Sequence, residues 1–180
     1  MDKIVEAVSS FLFKEDGTNA FVILDGASVP GLLDKLYGPE RPEFECLYSG
    51  ELKPDLAEVA PYLVRLEAGS EFTQWVLEQG WGKHWGIFAL SAGDVREMRR
   101  HFRRFLTVHD PSGKPLLFRY YDPRVLRAYL PTCNAEELST LFGPVSGYLL
   151  EGEKPEEMLR FQLASGSLVR QEKQLAAKET

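Results

Sequence analysis

The run from residue 116 to 131, Leu-Leu-Phe-Arg-Tyr-Tyr-Asp-Pro-Arg-Val-Leu-Arg-Ala-Tyr-Leu-Pro, constrains the fold more than any other stretch, because its local chemistry dictates an extended segment turning directly into a helix. Leu116, Phe118 and Tyr120 alternate with Leu117, Arg119 and Tyr121, the two-residue period of a strand, and the aromatic residues suit a pleated surface. Asp122 ends that strand. Its carboxylate can accept from the free N–H groups of a first helical turn, and Pro123 fits the first helical position, where its missing donor is not needed. Val125, Leu126 and Tyr129 then follow at helical spacing. Arg119 and Arg124 flank Asp122 and exceed what packing requires, so they read as an ion-pair cluster at a sheet edge or as a contact for a partner.

The rest of the chain alternates strand-like and helix-like segments, which predicts an α/β fold, a single domain with a mixed β-sheet flanked by helices. Strands are expected at residues 21–24, 44–48, 62–66, 85–90, 116–121 and 145–150, with a further strand-like run near Thr107. Short helices are expected around Leu32, Leu33 and Leu36, after Ser70 as a cap, from Asp94 to about Leu106, and over 123–129 and 135–142. No helix is evident between the segments at 44–48 and 62–66, and a sheet with both parallel and antiparallel pairs is the expectation. The domain reads as residues 1–150. Residues 151–180 read as a C-terminal helical tail, with Met158, Leu159, Phe161 and Leu163 on a helix interrupted by Gly166, and with a frayed or disordered end from Gln171 that could fold on a partner.

The helix beginning at Asp94 carries an apolar stripe of Val95, Met98, Phe102 and Phe105, with Arg96, Arg99, Arg100, Arg103 and Arg104 on its remaining surface. Such a face can be merely solvated and paired with Glu97 and its neighbours. It also suits docking to an acidic protein patch, because the planar guanidinium fork holds carboxylates in pairs. RNA is a third reading, without the glycine-aromatic signatures of common RNA modules. Among Trp75, Trp81 and Trp85, the first and last are expected in the core; Trp81, between Gly80 and Gly82, is the one expected to be exposed as an interface anchor.

The chain has 180 residues, 44% hydrophobic and 27% charged, which suits one soluble domain with a real core. Its formal net charge of −6 disfavours nucleic-acid binding in general, although a local basic patch is compatible with it. Cys46 and Cys133 lack metal-ligand spacing and fit packing roles in a reducing compartment. The first thirteen residues make a poor signal peptide and no run approaches a membrane span, so the cytoplasm is the expected location, with no membrane partner.

His84, His101 and His109 share no metal-type spacing, and neither a nucleophile elbow nor a phosphate or dinucleotide loop is present; no cofactor is expected. The best catalytic constellation is Asp25, His109 and Asp122, each near the end of an expected strand. Each also has a plain turn, loop or capping role. A small α/β enzyme or small-molecule-binding protein of unknown substrate is therefore the alternative to a binding protein without catalysis.

Four segments together carry a family resemblance: residues 22–27 (Val-Ile-Leu-Asp-Gly-Ala), 60–64 (Ala-Pro-Tyr-Leu-Val), 85–88 (Trp-Gly-Ile-Phe) and 116–131. In order and spacing the chain resembles, from about Asn19 to about Tyr148, a bacterial family first catalogued as a domain of unknown function, whose members resemble adaptor chaperones of the type VI secretion system. The resemblance implies a cytoplasmic protein, usually encoded beside a toxic effector, that holds the effector and helps load it onto the valine-glycine repeat spike protein, VgrG. It implies no enzymatic activity and no catalytic residues. The partner-binding residues expected on this view are Arg99, Arg100, Arg103, Arg104, Arg119, Arg124 and Trp81.

Overall fold

Strand β1 (Asn19–Asp25) is apolar on both faces, and such a strand must lie in the middle of a sheet with cover on each side. The computed structural model, which describes residues 3–175, places it there. With β2 (Phe44–Cys46), β3 (Pro61–Leu66), β4 (Gly86–Ser91), β7 (Val145–Glu151), β8 (Glu157–Ala164) and β9 (Ser167–Gln174), it forms a seven-stranded sheet in the order β2-β3-β1-β4-β7-β8-β9. Two further strands, β5 (Thr107–His109) and β6 (Pro115–Leu117), form a separate ribbon.

Period-two alternation divides the core into two halves. Val22, Val64 and Phe88 stand side by side on one face and pack with α1 (Lys3–Leu12), α2 (Leu32–Leu36) and α4 (Glu71–Trp75). Ile23, Leu63, Ile87, Tyr148 and Phe161 occupy the opposite face beneath α5 (Val95–Arg103), α6 (Pro123–Tyr129) and α7 (Ala135–Phe142). The result is a helix–sheet–helix sandwich. Among the described residues, no helix is long and apolar enough to cross a membrane.

The α/β architecture is as the sequence predicts, but the sheet is antiparallel throughout and not mixed. β7, β8 and β9 follow one another as hairpins, and a hairpin can pair only antiparallel. Between β2 and β3 lies a helix the sequence did not announce, α3 (Pro54–Val59), which buries none of its side chains and is held by the Tyr62 hydroxyl donating to the Ala57 carbonyl at 2.8 Å.

The expected helical tail is overturned. Residues 157–174 form β8 and β9, which extend the main sheet. Leu159 and Phe161 pair with Leu150 and Tyr148 on one face, an alternation that a helical reading of 158–163 masks. Ser165 and Gly166 both take positive φ, 50° and 76°, giving the two-residue turn whose twist suits a hairpin. Of the frayed end expected from Gln171, residues 171–174 are strand, and 176–180 lie outside the described residues.

The strand expected over 116–121 is also shorter. Only Pro115–Leu117 is extended, paired with Thr107–His109, while the Asp122 N–H donates to the Arg119 carbonyl at 3.0 Å to close a turn. Consecutive tyrosines cannot share one face of a strand. The turn lets Tyr120 and Tyr121 both reach the core, at 2% and 1% exposure, and leaves Leu116 and Leu117 outside.

Removing β8 and β9 strips Met158, Leu159 and Phe161 from the core, each worth about 1.5–3 kcal/mol of burial. That loss rivals the whole stability of an ordinary domain. A chain ending at residue 156 is expected to lose its cooperative thermal transition; an unchanged melting temperature would restore the view of a dispensable tail.

Candidate functional site

Three of the resemblance segments meet at one end of the sheet. The Asp25 N–H donates to the Trp85 carbonyl at 2.9 Å, and the Gly26 N–H to the Ala60 carbonyl at 3.0 Å. At Gly26 the backbones approach so closely that a Cβ would stand 2.4 Å from the Ala60 oxygen, and at Gly86 one would stand 2.0 Å from the Ile23 oxygen. Glycine is required at both positions by contact with neighbouring backbone.

The fourth segment closes this end. Asp25 is 2% exposed; its carboxylate accepts from the Ala27 N–H at 3.2 Å and the Ser28 hydroxyl at 2.9 Å, and forms an ion pair with Arg119. The bond to Asp25 pushes the Arg119 guanidinium further up, so it is charged at any ordinary pH. Asp122 caps α6 by accepting from the Arg124 N–H at 2.9 Å, and its two oxygens take the Arg124 guanidinium at 3.0 and 2.7 Å. Burial pushes the Asp122 carboxyl up, but these bonds outweigh it and hold the group below the usual carboxylate range. Tyr121 packs behind this corner, and burial drives its hydroxyl well above the ordinary value. Arg119 and Arg124 therefore serve the fold first, with 45% and 54% of their side chains still exposed.

Helix α5 starts where expected, with the Asp94 carboxylate accepting from the Glu97 N–H at 2.8 Å, and ends at Arg103, short of Leu106. Val95, Met98 and Phe102 are buried and Phe105 is half-buried. His101 joins this stripe: its Nε2 lies 3.0 Å from the Leu141 carbonyl, which also accepts from the Tyr148 hydroxyl at 2.6 Å. These two donors satisfy an orphan carbonyl in the last turn of α7. Burial pushes the His101 imidazole down to about 4, so it is neutral at pH 7.

The arginines of α5 face outward. Arg99 Nε stands 3.3 Å from Glu45 Oε2, but out of line for a hydrogen bond, and Arg103 donates to the Ser49 hydroxyl. Arg104 lies 5.5 Å from the Phe105 ring centre. Among the described residues, Arg96, Arg100, Arg103 and Arg104 have no carboxylate within ion-pair distance. A broad open groove of about 950 Å³ runs along this ridge, lined by four of the arginines and by the carboxylates of Glu45, Asp94 and Glu97.

Trp81 departs from expectation. It is half-buried against the core, its ring 6.1 Å from that of Phe88 and its indole N–H donating to the Pro155 carbonyl at 2.7 Å. Flanking glycines do not make a tryptophan an exposed anchor when its ring has a core to cover. Trp85 is buried as expected; Trp75 is half-buried, 5.0 Å from it.

Sequence reasoning missed one polar cluster. Glu151, 4% exposed at the end of β7, receives the Gly82 N–H and pairs with His84, whose backbone sits at φ 59°. Burial raises the Glu151 carboxyl, and the Gly82 and His84 contacts oppose that rise. Beside it, Trp81, Trp85 and Phe88 enclose a cavity of about 10 Å³, room for about one water. The one available signal was an acidic residue ending an otherwise apolar strand.

The catalytic constellation does not assemble. Asp25 and Asp122 share the field of Arg119, but His109 stands on the outer ribbon and makes no hydrogen bond or ion pair to either among the described residues. Nor, among those residues, do three or more His, Cys, Asp or Glu groups gather as a metal site. Cys46 and Cys133 are free thiols, half-buried, each packed against one half of the core.

A protein-family model described as a domain of unknown function, DUF4123, matches residues 20–140. No curated protein and no solved structure matches the chain.

Two measurements test the site's scaffold. Asp122→Ala is expected to lose on the order of 1 kcal/mol of stability in denaturant unfolding, from the missing cap alone. For His101, the unfolded chain takes up a proton near pH 6.5 while the folded chain resists until about pH 4, so its contribution is full above pH 6.5 and lost as pH falls toward 4. Between pH 7 and pH 5 wild type is expected to lose on the order of 2 kcal/mol more than His101→Phe. Parallel pH profiles would show that His101 does not carry this sensitivity.

Proposed function

We propose that this chain, which belongs to the DUF4123 family, is an adaptor chaperone of a type VI secretion system that binds a toxic effector and helps load it onto the VgrG spike, without catalysis. The match over residues 20–140 carries this reading, because that span holds all four segments on which the resemblance rests. The arginine ridge of α5 supports it. From Val95 to Arg104 the chain has five arginines against Glu97, a local excess of four positive charges on a protein of net charge −6.

The mechanism is stoichiometric binding. A rigid sheet presents α5, and guanidiniums without internal partners take carboxylates on the effector, which both fixes orientation and speeds encounter. Arg119 and Arg124 add half-exposed guanidinium edges at a second corner. The working compartment is the cytoplasm, before secretion.

The test is co-expression with the effector encoded beside the gene and with VgrG, followed by size exclusion and titration. The effector is expected to co-elute with the chain. Reversing charge at Arg99, Arg100, Arg103 and Arg104 is expected to weaken binding about tenfold or more, or about 1.4 kcal/mol, with a nearly unchanged melting temperature. An effector that fails to co-elute with wild type would overturn the adaptor reading; unaltered affinity in the charge-reversed variant would remove α5 from it.

A further inference from the structure

Beside the arginine ridge lies a second feature that charge alone does not explain. Leu47, Leu52, Leu56, Leu106 and Leu117 line an open groove of about 330 Å³ between the loop after β2, helix α3 and the β5–β6 ribbon, and Arg103 forms part of its wall. Leu56 and Leu117 are 43% and 56% exposed. Arg103 also lines the larger groove along α5, so the apolar trough and the arginine ridge adjoin at this side chain. The ribbon that forms one side is pinned at its tip, where Asp110 accepts from the Ser112 N–H at 2.8 Å and the Lys114 N–H at 2.9 Å.

We propose that this groove receives an acidic segment of a partner protein that places a leucine-type side chain between Leu56 and Leu117 and sets flanking carboxylates on Arg103 and Arg100. The inference rests on the adaptor reading and specifies the part of the effector that the adaptor holds. Charge complementarity selects the occupant. Among the described residues, four of the five arginines, all but Arg99, have no internal carboxylate, and an exposed apolar trough begins beside them, the arrangement that a partner with an apolar anchor and an acidic rim completes. Walls made mostly of leucine favour such a segment over RNA, which would seek exposed aromatic platforms. Apolar contact supplies the affinity in this scheme, and the arginines supply register.

The probe is a fluorescein-labelled peptide, Glu-Glu-Leu-Glu-Glu-Leu-Leu-Glu, titrated into the full chain by anisotropy, with a second peptide in which every Leu is Ser and with oligouridine as competitor. Wild type is expected to bind the leucine peptide about tenfold more tightly than the serine peptide. Leu56→Ser with Leu117→Ser, and separately Arg103→Glu, are expected each to cost about tenfold, while Arg170→Glu, on the exposed β9 strand at the far edge of the sheet, stays within about twofold. Because the altered side chains are exposed or half-exposed, melting temperatures serve as the folding control. Failure of the leucine peptide to bind, equal binding by the groove variants, or displacement by oligouridine at lower concentration than unlabelled peptide would overturn the proposal. If the effector binds but the leucine peptide does not compete for it, the groove assignment fails and the adaptor reading stands. If the peptide binds as expected and the effector does not bind, the groove stands as an acidic-peptide site and the adaptor reading fails.

Discussion

The buried carboxylate of Asp25 and its ion pair with Arg119 are the contact on which the rest of this molecule turns. A carboxylate at 2% exposure is tolerable only if its oxygens are satisfied, and here the Ala27 N–H, the Ser28 hydroxyl and the guanidinium satisfy it. The tie joins the end of the central strand to the turn before α6, across 94 positions of sequence. At the same end the backbones of β1, β3 and β4 come together through Gly26 and Gly86, with no room for a side chain. The segments on which the resemblance rests are thus mostly the parts that hold this end of the sheet closed, and packing and charge burial account for them before any partner is invoked.

How much of this was legible in the sequence follows from how local the chemistry is. Ser70, Asp94 and Asp122 cap their helices as their residue types and spacing imply, because a cap reads only the next three residues. Asp122 also keeps Arg124, two positions away, as an expected ion-pair partner. The partner of Arg119 could not be read, since nothing near it names Asp25. The same holds for His84 and Glu151, which sit 67 positions apart. The hairpin of β8 and β9 was legible in principle: Leu159, Phe161 and Leu163 alternate, and Ser165-Gly166 is a turn dipeptide, but Met158 and Leu159 side by side favour a helical reading. A strand through Tyr120 and Tyr121 failed for a different reason, because two adjacent large aromatics both demanded the core and a turn met that demand.

On this closed frame the charges are distributed unevenly. The arginines of the Asp25 corner are engaged by buried carboxylates, whereas Arg96, Arg100 and Arg104 of α5 face solvent on a helix anchored from below by Met98, His101 and Phe102. A rigid mount loses little entropy when its exposed side chains engage a partner. The leucine-lined trough beside them adds apolar area that a solvated surface has no use for. Trp81, sequestered by Phe88 and Pro155, stabilises the opposite layer and contributes nothing to this face.

The central proposal, that the sheet presents α5 and its neighbouring ribbon to an effector, is tested most directly by hydrogen–deuterium exchange of the full chain, alone and with the effector that the proposal requires. The account predicts slow exchange in β1, β3 and β4 in both states, and protection gained on binding in α5, α3 and the β5–β6 ribbon. Protection gained instead along the outer edge of β9, with α5 unchanged, would contradict it.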